Sequence, residues 1–486
     1  MLKILLIDCS SDSNVTKKRS LEVAIVPIGL MYIATYLKKH LGEQVDIRIE
    51  NTALFNDLQS DVSSVMNEFH PEIVGLRGFT IFKESFKKVA EIVKSFDSVK
   101  LVVGGGPDPS SNPVKVLEYN QQSLDLVIIG EGEETFLEIT KNYLQKKDSK
   151  NINGIALFKD GKIIQNPPRE FISDLDTIPF PDYSLIDIDL YGKRRNTVYI
   201  RRLHALMFGT RGCPFYCVYC HNLFGHKLRK RSPINIFNEM IILNSKYGIK
   251  DFVILDDIFN FDKKNFNDFF DLLIGKRSRF NIYLYGVRGD ILKKDEIEKM
   301  VEGGVVWVNY SLETVSPRLQ KLIRKNLNVD NLIDNIIHTS RQDIVIGLNF
   351  MVGLPTETIE ELNETMEALY NLDGVTFPYF NTVKIFEETP MYDLAVSLGY
   401  SKEYLENSQD MVFHDVSQFS TPTISNMQMK GVFMRYLTYI FSKKRMEQSL
   451  KVQRKLFNED EINDQYSVYL QREIVDIEKD VLCLCK

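Results

Sequence analysis

The stretch GTRGCPFYCVYCHNLFGHKLRKRSP, residues 209–233, decides how this chain is read. It sets Cys213, Cys217 and Cys220 in a CxxxCxxC spacing, after a short apolar run and before a helical pattern. Three thiolates on one loop can converge on one centre, and such soft ligands suit iron–sulfur clusters, zinc or copper. Zinc fingers pair one CxxC with a second downstream, and none follows here. His221 and His226 could complete a zinc site; their ordinary reading is as residues facing a cleft or solvent. The ferredoxin spacing brings a fourth cysteine close by, and it is missing. A cube of four irons held by three cysteines leaves one iron open for a substrate.

Outward from this loop, short apolar strand patterns recur at Leu206–Phe208, Phe252–Leu255, Ile282–Tyr285, Val305–Ser311, Ile346–Val352 and Thr382–Phe386. Helical periodicity separates them, for example at Ile234–Ser245, Lys294–Val301 and Ile359–Tyr370. Six β–α repeats over about 200 residues predict an open, partial (β/α)6 barrel over 196–400, smaller than the closed eightfold barrel. Residues 1–145 show a second alternating series, with strands at Ile4–Ile7, Val45–Ile49, Ile73–Leu76, Leu101–Val103 and Leu126–Ile129. Helical patterns at Leu30–Leu37, Phe86–Val93 and Thr135–Leu144 lie between them. That pattern predicts a doubly wound, Rossmann-like parallel sheet covered on both faces. Two of its strands run into glycine turns, Gly104–Gly105–Gly106 and Gly130–Glu131–Gly132, where such a sheet binds its ligand. Residues 146–195 read as a connector, and 401–486 as a mainly helical C-terminal region.

Composition sets the outer limits. The 486 residues are 44% hydrophobic and 26% charged, which gives ample apolar surface for two to four folded domains and excludes a disordered chain. Net charge is −6, so no overall field draws the chain onto nucleic acid. No 18-residue apolar run spans a membrane, and the start reads as the first strand of a cytoplasmic protein. Clustered cysteines without an export signal favour metal ligation over disulfides.

The CxxxCxxC loop, with the aromatic Tyr219 before its last cysteine, resembles the signature of the radical S-adenosylmethionine (SAM) superfamily. The resemblance continues through LDDIFNFDKKNF (255–266), YGVRGDIL (285–292), NYSLETVSP (309–317), NFMVGLPTETIEEL (349–362) and FEETPMYDLAVSLG (386–399). It implies a 4Fe–4S cluster on Cys213, Cys217 and Cys220, whose open iron chelates SAM. Reduction would cleave SAM to methionine and a 5′-deoxyadenosyl radical, with an external electron donor such as flavodoxin or ferredoxin. By the same resemblance Asp256 and Asp257 lie near SAM and Arg288 faces it. Glu313 reaches its ribose or amino group, and the backbone at Gly353, Leu354 and Pro355 runs along the adenine.

Residues 100–187, from GGGPDP to IPFPDYSL, look like the cobalamin-binding branch of that superfamily. That likeness implies a front domain holding the corrin near Gly104–Gly106, Gly130–Gly132 and Ser10. Many cobalamin proteins carry Asp-x-His-x-x-Gly after the first strand. This chain reads Asp8, Cys9, Ser10, with no histidine. Two readings follow: cobalamin whose cobalt lacks a histidine lower ligand, or a front domain that keeps the fold without the ligand. The leading functional expectation is a cobalamin-dependent methyltransferase acting on a small molecule. A rival transfers the 3-amino-3-carboxypropyl group of SAM to an acceptor such as trivalent arsenic; another is a non-catalytic iron–sulfur sensor. Cys483 and Cys485 form a CxC that could offer two thiolates to a substrate atom or second metal. The basic run Lys227–Arg231 reads most simply as a solvated loop.

Overall fold

Apolar residues without polar alternation belong in a strand covered on both faces, and the segment Leu2–Asp8 (β1) is buried along nearly its whole length. The computed structural model describes residues 1–10, 23–159, 161–198, 200–410, 416–417 and 419–473. Cys483 and Cys485 lie outside the described residues. The chain divides into two compact units: Met1–Thr197 with His221–Arg231, and Val198–Cys220 with Ser232–Lys486.

In the first unit, β1 lies between β2 (Val45–Asn51) and β3 (Ile73–Arg77), parallel to both. β4 (Leu101–Gly105) and β5 (Leu126–Ile128) continue the parallel sheet. The connecting segments carry the helices α1 (Ile28–Leu41), α2 (Leu58–Phe69), α3 (Lys83–Lys94), α4 (Pro107–Ser111) and α5 (Pro113–Tyr119). Helix α6 (Gly132–Leu144) follows β5. The order β2-β1-β3-β4-β5 reverses direction between β1 and β3. In doubly wound sheets that reversal opens the crevice in which ligands bind.

The stretch 146–195 does more than connect. It supplies β6 (Ile155–Lys159) and β7 (Lys162–Gln165), a hairpin added antiparallel to β5. Its first three residues are buried and the second strand is largely exposed, so the hydrophobic signal is too short to stand out among polar neighbours.

The second unit carries six parallel strands: β8 (His204–Met207), β9 (Asp251–Ile254), β10 (Asn281–Leu284), β11 (Val305–Glu313), β12 (Val345–Val352) and β13 (Phe377–Thr382). Their order in the sheet follows the chain, as a partial (β/α)6 barrel requires. The last strand lies earlier than Thr382–Phe386. Its Pro378 reads as a strand breaker, yet β13 is an edge strand, where a missing N–H is tolerated. The helices after 400 include Asn426–Ile440, Lys443–Leu456 and Glu459–Glu473. Among the described residues no helix is long and apolar enough to cross a membrane.

Several glycines in the barrel have no room for a side chain, Gly286 among them. A Cβ on Gly286, just past β10, would stand 1.8 Å from the Asp256 carbonyl oxygen, which is backbone and cannot swing aside. Gly286 also accepts the Phe259 N–H at 2.7 Å. Gly286→Ala should therefore cost about 1–3 kcal/mol, the range for overpacking. A fall in urea midpoint at unchanged slope would show it.

Candidate active site

The cysteine loop leaves the end of β8, and a buried carboxylate fixes its departure. Asp256, just past β9, accepts the Gly209 N–H and the Thr210 hydroxyl, each at 2.7 Å. Burial pushes this carboxyl up to about 7, against the lowering effect of those bonds. With both oxygens engaged, Asp256 acts as a tie between strands. The neighbouring Asp257, also raised by burial, accepts the Gly212 N–H at the entrance to the loop.

Val218 anchors the middle of the loop. Its N–H donates to Ile323 and its carbonyl accepts from Met391, while its side chain packs among Leu319, Leu354, Ile385 and Met391. The cysteines on either side of it are thereby held in place. Cys217 and Cys220 share a hydrogen bond that lowers the Cys217 thiol to about 6 and raises Cys220. Cys213, raised by burial, feels the charge of Cys217. All three are free thiols.

Cationic groups surround the triad. Arg288 lies 3.9 Å over the Phe215 ring, donates to Asp290 at 2.9 Å, and donates to the Lys325 and Asn326 carbonyls. Glu313, at the end of β11, accepts from Lys325 at 2.8 Å and from the Tyr219 hydroxyl at 3.3 Å. Thus Arg288 and Glu313 are not each other's partners. Glu313 holds φ +65, a strained value for a residue with a side chain. The positive charges of Lys325 and Arg288 both favour the Cys217 thiolate. Lys325 was not legible in the sequence: nothing separates it from Lys321 or Arg324 until the fold turns it inward, where it is 8% exposed.

The Gly353–Pro355 turn has its own brace. Gly353 (φ +83) and Leu354 donate their N–H groups to one oxygen of Glu357, at 2.6 and 3.3 Å. The Leu354 side chain is fully buried, and its carbonyl accepts the Glu357 N–H at 2.9 Å. Glu357 is the second residue that sequence reasoning missed.

In the first unit, Asp8 and Arg77 end the two strands at the reversal point and pair at 2.7 Å. Cys9 is fully buried and its thiol is raised by burial, so its role is in the core. Ser10 donates to Asn51. Gly106 takes φ +94, and a Cβ there would meet Arg77 at 2.9 Å, whereas Gly105 has open space beside it. Gly130 takes φ +80 and donates to the Ser110 hydroxyl. His221 lies 3.4 Å from Ser111, and the basic run is only partly solvated, since Arg229 and Arg231 are buried.

These arrangements fit the groups that the sequence implied. The thiol triad has soft donors and compensating positive charge, as an anionic cluster needs. The front sheet has two glycine turns at its carboxyl edge. A buried oxygen of Asp8 there has no hydrogen-bond partner among the described residues, and no histidine follows Asp8 in the sequence of that loop.

Glu357 yields a prediction. Burial raises its carboxyl to about 8; Glu361 adds to the rise, while Arg318 and the two N–H donors oppose it. The folded chain then holds a proton that the unfolded chain has released, so stability falls as pH climbs from about 5 to 8. Glu357→Gln should gain about 1–2 kcal/mol over wild type between pH 6 and pH 8, read from denaturation midpoints.

Comparison with known proteins agrees with this geometry. Residues 207–369 match the model of the radical SAM superfamily, and residues 18–140 match that of the B12 binding domain. An uncharacterized methyltransferase of Pyrococcus horikoshii is 30% identical over 404 residues, covering 82% of this chain and 84% of that protein. The anaerobic magnesium-protoporphyrin IX monomethyl ester cyclase of Rubrivivax gelatinosus is 27% identical, over 78% of this chain and 67% of its own. In fold, the chain is similar to the radical SAM methyltransferase TsrM of Kitasatospora setae, solved with cobalamin and a 4Fe–4S cluster: TM-score 0.65, 18% identity, 80% of this chain and 74% of that one. The chain therefore belongs to the radical SAM superfamily, in the branch with a B12-binding domain, and is an enzyme whose cofactors are a 4Fe–4S cluster, SAM and cobalamin.

Proposed function

We propose that this enzyme transfers a methyl group from SAM to a small-molecule substrate, using cobalamin and drawing electrons from an external donor such as a flavodoxin or ferredoxin. The observation that carries this reading is a three-thiol loop joined in one chain to a doubly wound sheet whose first strand ends at Asp8 and is followed by Cys9 and Ser10. The relative from Pyrococcus, named a methyltransferase, supports it.

Cys213, Cys217 and Cys220 hold the cluster, while Lys325 and Arg288 supply positive charge beside it. Glu313, fixed by Lys325 and Tyr219, and Asp257 face the polar end of SAM. Gly353, Leu354 and Pro355 offer their backbone to the adenine, with Glu357 keeping the turn in shape. Gly104–Gly106, Gly130–Gly132 and Ser10 border the cobalamin. When bound, these groups supply reductive SAM cleavage and a carrier for the methyl group; the chain binds and orients them and keeps water from the radical.

The test uses the anaerobically purified chain with a one-electron reductant, hydroxocobalamin, methyl-labelled SAM and a small-molecule cell extract. S-adenosylhomocysteine beside 5′-deoxyadenosine, with label in an extract compound, is the expected result. 5′-Methylthioadenosine would instead mark transfer of the aminocarboxypropyl group and overturn the reading.

Two predictions follow from the residues. Changing any one of Cys213, Cys217 or Cys220 to Ala should lower iron from about four per chain and abolish SAM cleavage, because the open iron depends on all three thiolates. Full activity in one such variant would contradict the assignment. Second, Co(II)-cobalamin bound to the chain should carry no histidine as lower ligand, since none follows Asp8: labelling the histidines with 15N should leave its electron paramagnetic resonance spectrum unchanged, and an altered nitrogen splitting would contradict this.

A further inference from the structure

The segment that follows the third cysteine, His221–Arg231, packs within the first unit. It is fastened there at several places, two of them beside the glycine turns. His221 meets Ser111 of α4, the helix that begins just after Gly104–Gly106. Arg229 meets Glu131, the central residue of the Gly130–Gly132 turn, at 2.7 Å, and both side chains are only 5% exposed.

The Glu131–Arg229 contact is a built arrangement. One Glu131 oxygen accepts from Arg229 and the other accepts the Ile172 N–H at 2.8 Å. Arg229 also donates to the Ile172 carbonyl at 2.8 Å and the Phe224 carbonyl at 3.3 Å, and lies 4.6 Å over the Phe171 ring. Gly225 packs so closely on Phe171 that a Cβ would come within 2.9 Å of the ring. Ser110 secures the other side of the turn by accepting the Gly130 N–H. A buried ion pair is seldom more stabilising than apolar side chains of the same size, and the advantage it offers is fixed geometry. Here the geometry fixed is that of a turn on the ligand edge of the sheet.

We infer that Glu131 and Arg229 are positioning residues through which segment 221–231 completes the cobalamin cradle, by holding the Gly130–Gly132 turn in its binding shape. This rests on the cobalamin reading above and goes beyond it. The front domain of residues 1–197 alone lacks a part of its cofactor site, and that part is supplied by residues downstream of the cluster motif.

The test is titration of the anaerobically purified full chain with hydroxocobalamin, followed by its visible spectrum, with thermal midpoints measured in parallel. Glu131→Gln and Arg229→Met should each weaken binding at least tenfold. Both also leave a buried group without its partner and lower stability, so they do not decide the matter alone. The double variant E131M/R229M leaves no charge stranded and should recover most of the wild-type midpoint. Its affinity for hydroxocobalamin should remain at least tenfold weaker than wild type. R229K keeps a charge for Glu131 but loses the planar fork that reaches both carbonyls, and should bind at least threefold more weakly.

A double variant that folds and binds as wild type does would overturn the inference. Should it fail to fold, R229K decides, and wild-type affinity there is equally fatal. Failure of the wild-type chain itself to take up hydroxocobalamin would overturn the cofactor reading, and the inference with it.

Discussion

The Asp256 carboxylate accepts the Gly209 N–H and the Thr210 hydroxyl, and the cysteine loop starts from that point. A loop carrying three metal ligands has little structure of its own, so its geometry must come from what it is tied to. Asp256 fixes the entrance, Gly212 docks on Asp257, and Val218 fixes the middle. The Gly286 backbone passes so close to the Asp256 carbonyl that the next strand locks the same corner. The ends of β8, β9 and β10 thus act as one frame from which the thiols project.

Near that frame, charge is arranged in pairs: Lys325 with Glu313 and Arg288 with Asp290, both largely withdrawn from water. Within the first unit, Arg229 with Glu131 is a pair of the same kind. Desolvation offsets much of the attraction in such pairs, so their net contribution to stability is small. Their value is directional. Each holds a group that a flexible side chain could not keep in place by itself: a carboxylate on a strained residue, a guanidinium over an aromatic ring, a glycine turn. The strain at Glu313, with φ +65, fits this view, because strained backbone persists only where surrounding bonds over-determine it.

Relatives that cover nearly equal shares of this chain are named a methyltransferase and a cyclase. Here Ser311, Asn349 and Asn381, half-buried near the carboxyl ends of β11, β12 and β13, bring neutral hydrogen-bonding groups to the barrel strands.

The sequence by itself determined the features that rest on local order. The CxxxCxxC spacing defined the cluster loop because the ligands are neighbours along the chain. The alternation of short apolar runs with helical periodicity defined both sheets, because burial on two faces leaves a continuous mark. Where the mark was short, as at Ile155–Leu157, or interrupted, as at Pro378, the strand was hidden or displaced. The partners that hold the site were decided only by tertiary structure. Glu313 and Glu131 stood in recognisable segments, but their partners, Lys325 at 12 residues and Arg229 at 98 residues along the chain, are distinguished from neighbouring charges by no local pattern. A charge becomes part of a site when the fold takes it out of water and sets a counter-charge against it, and that event leaves no trace in the spacing of residues along the chain.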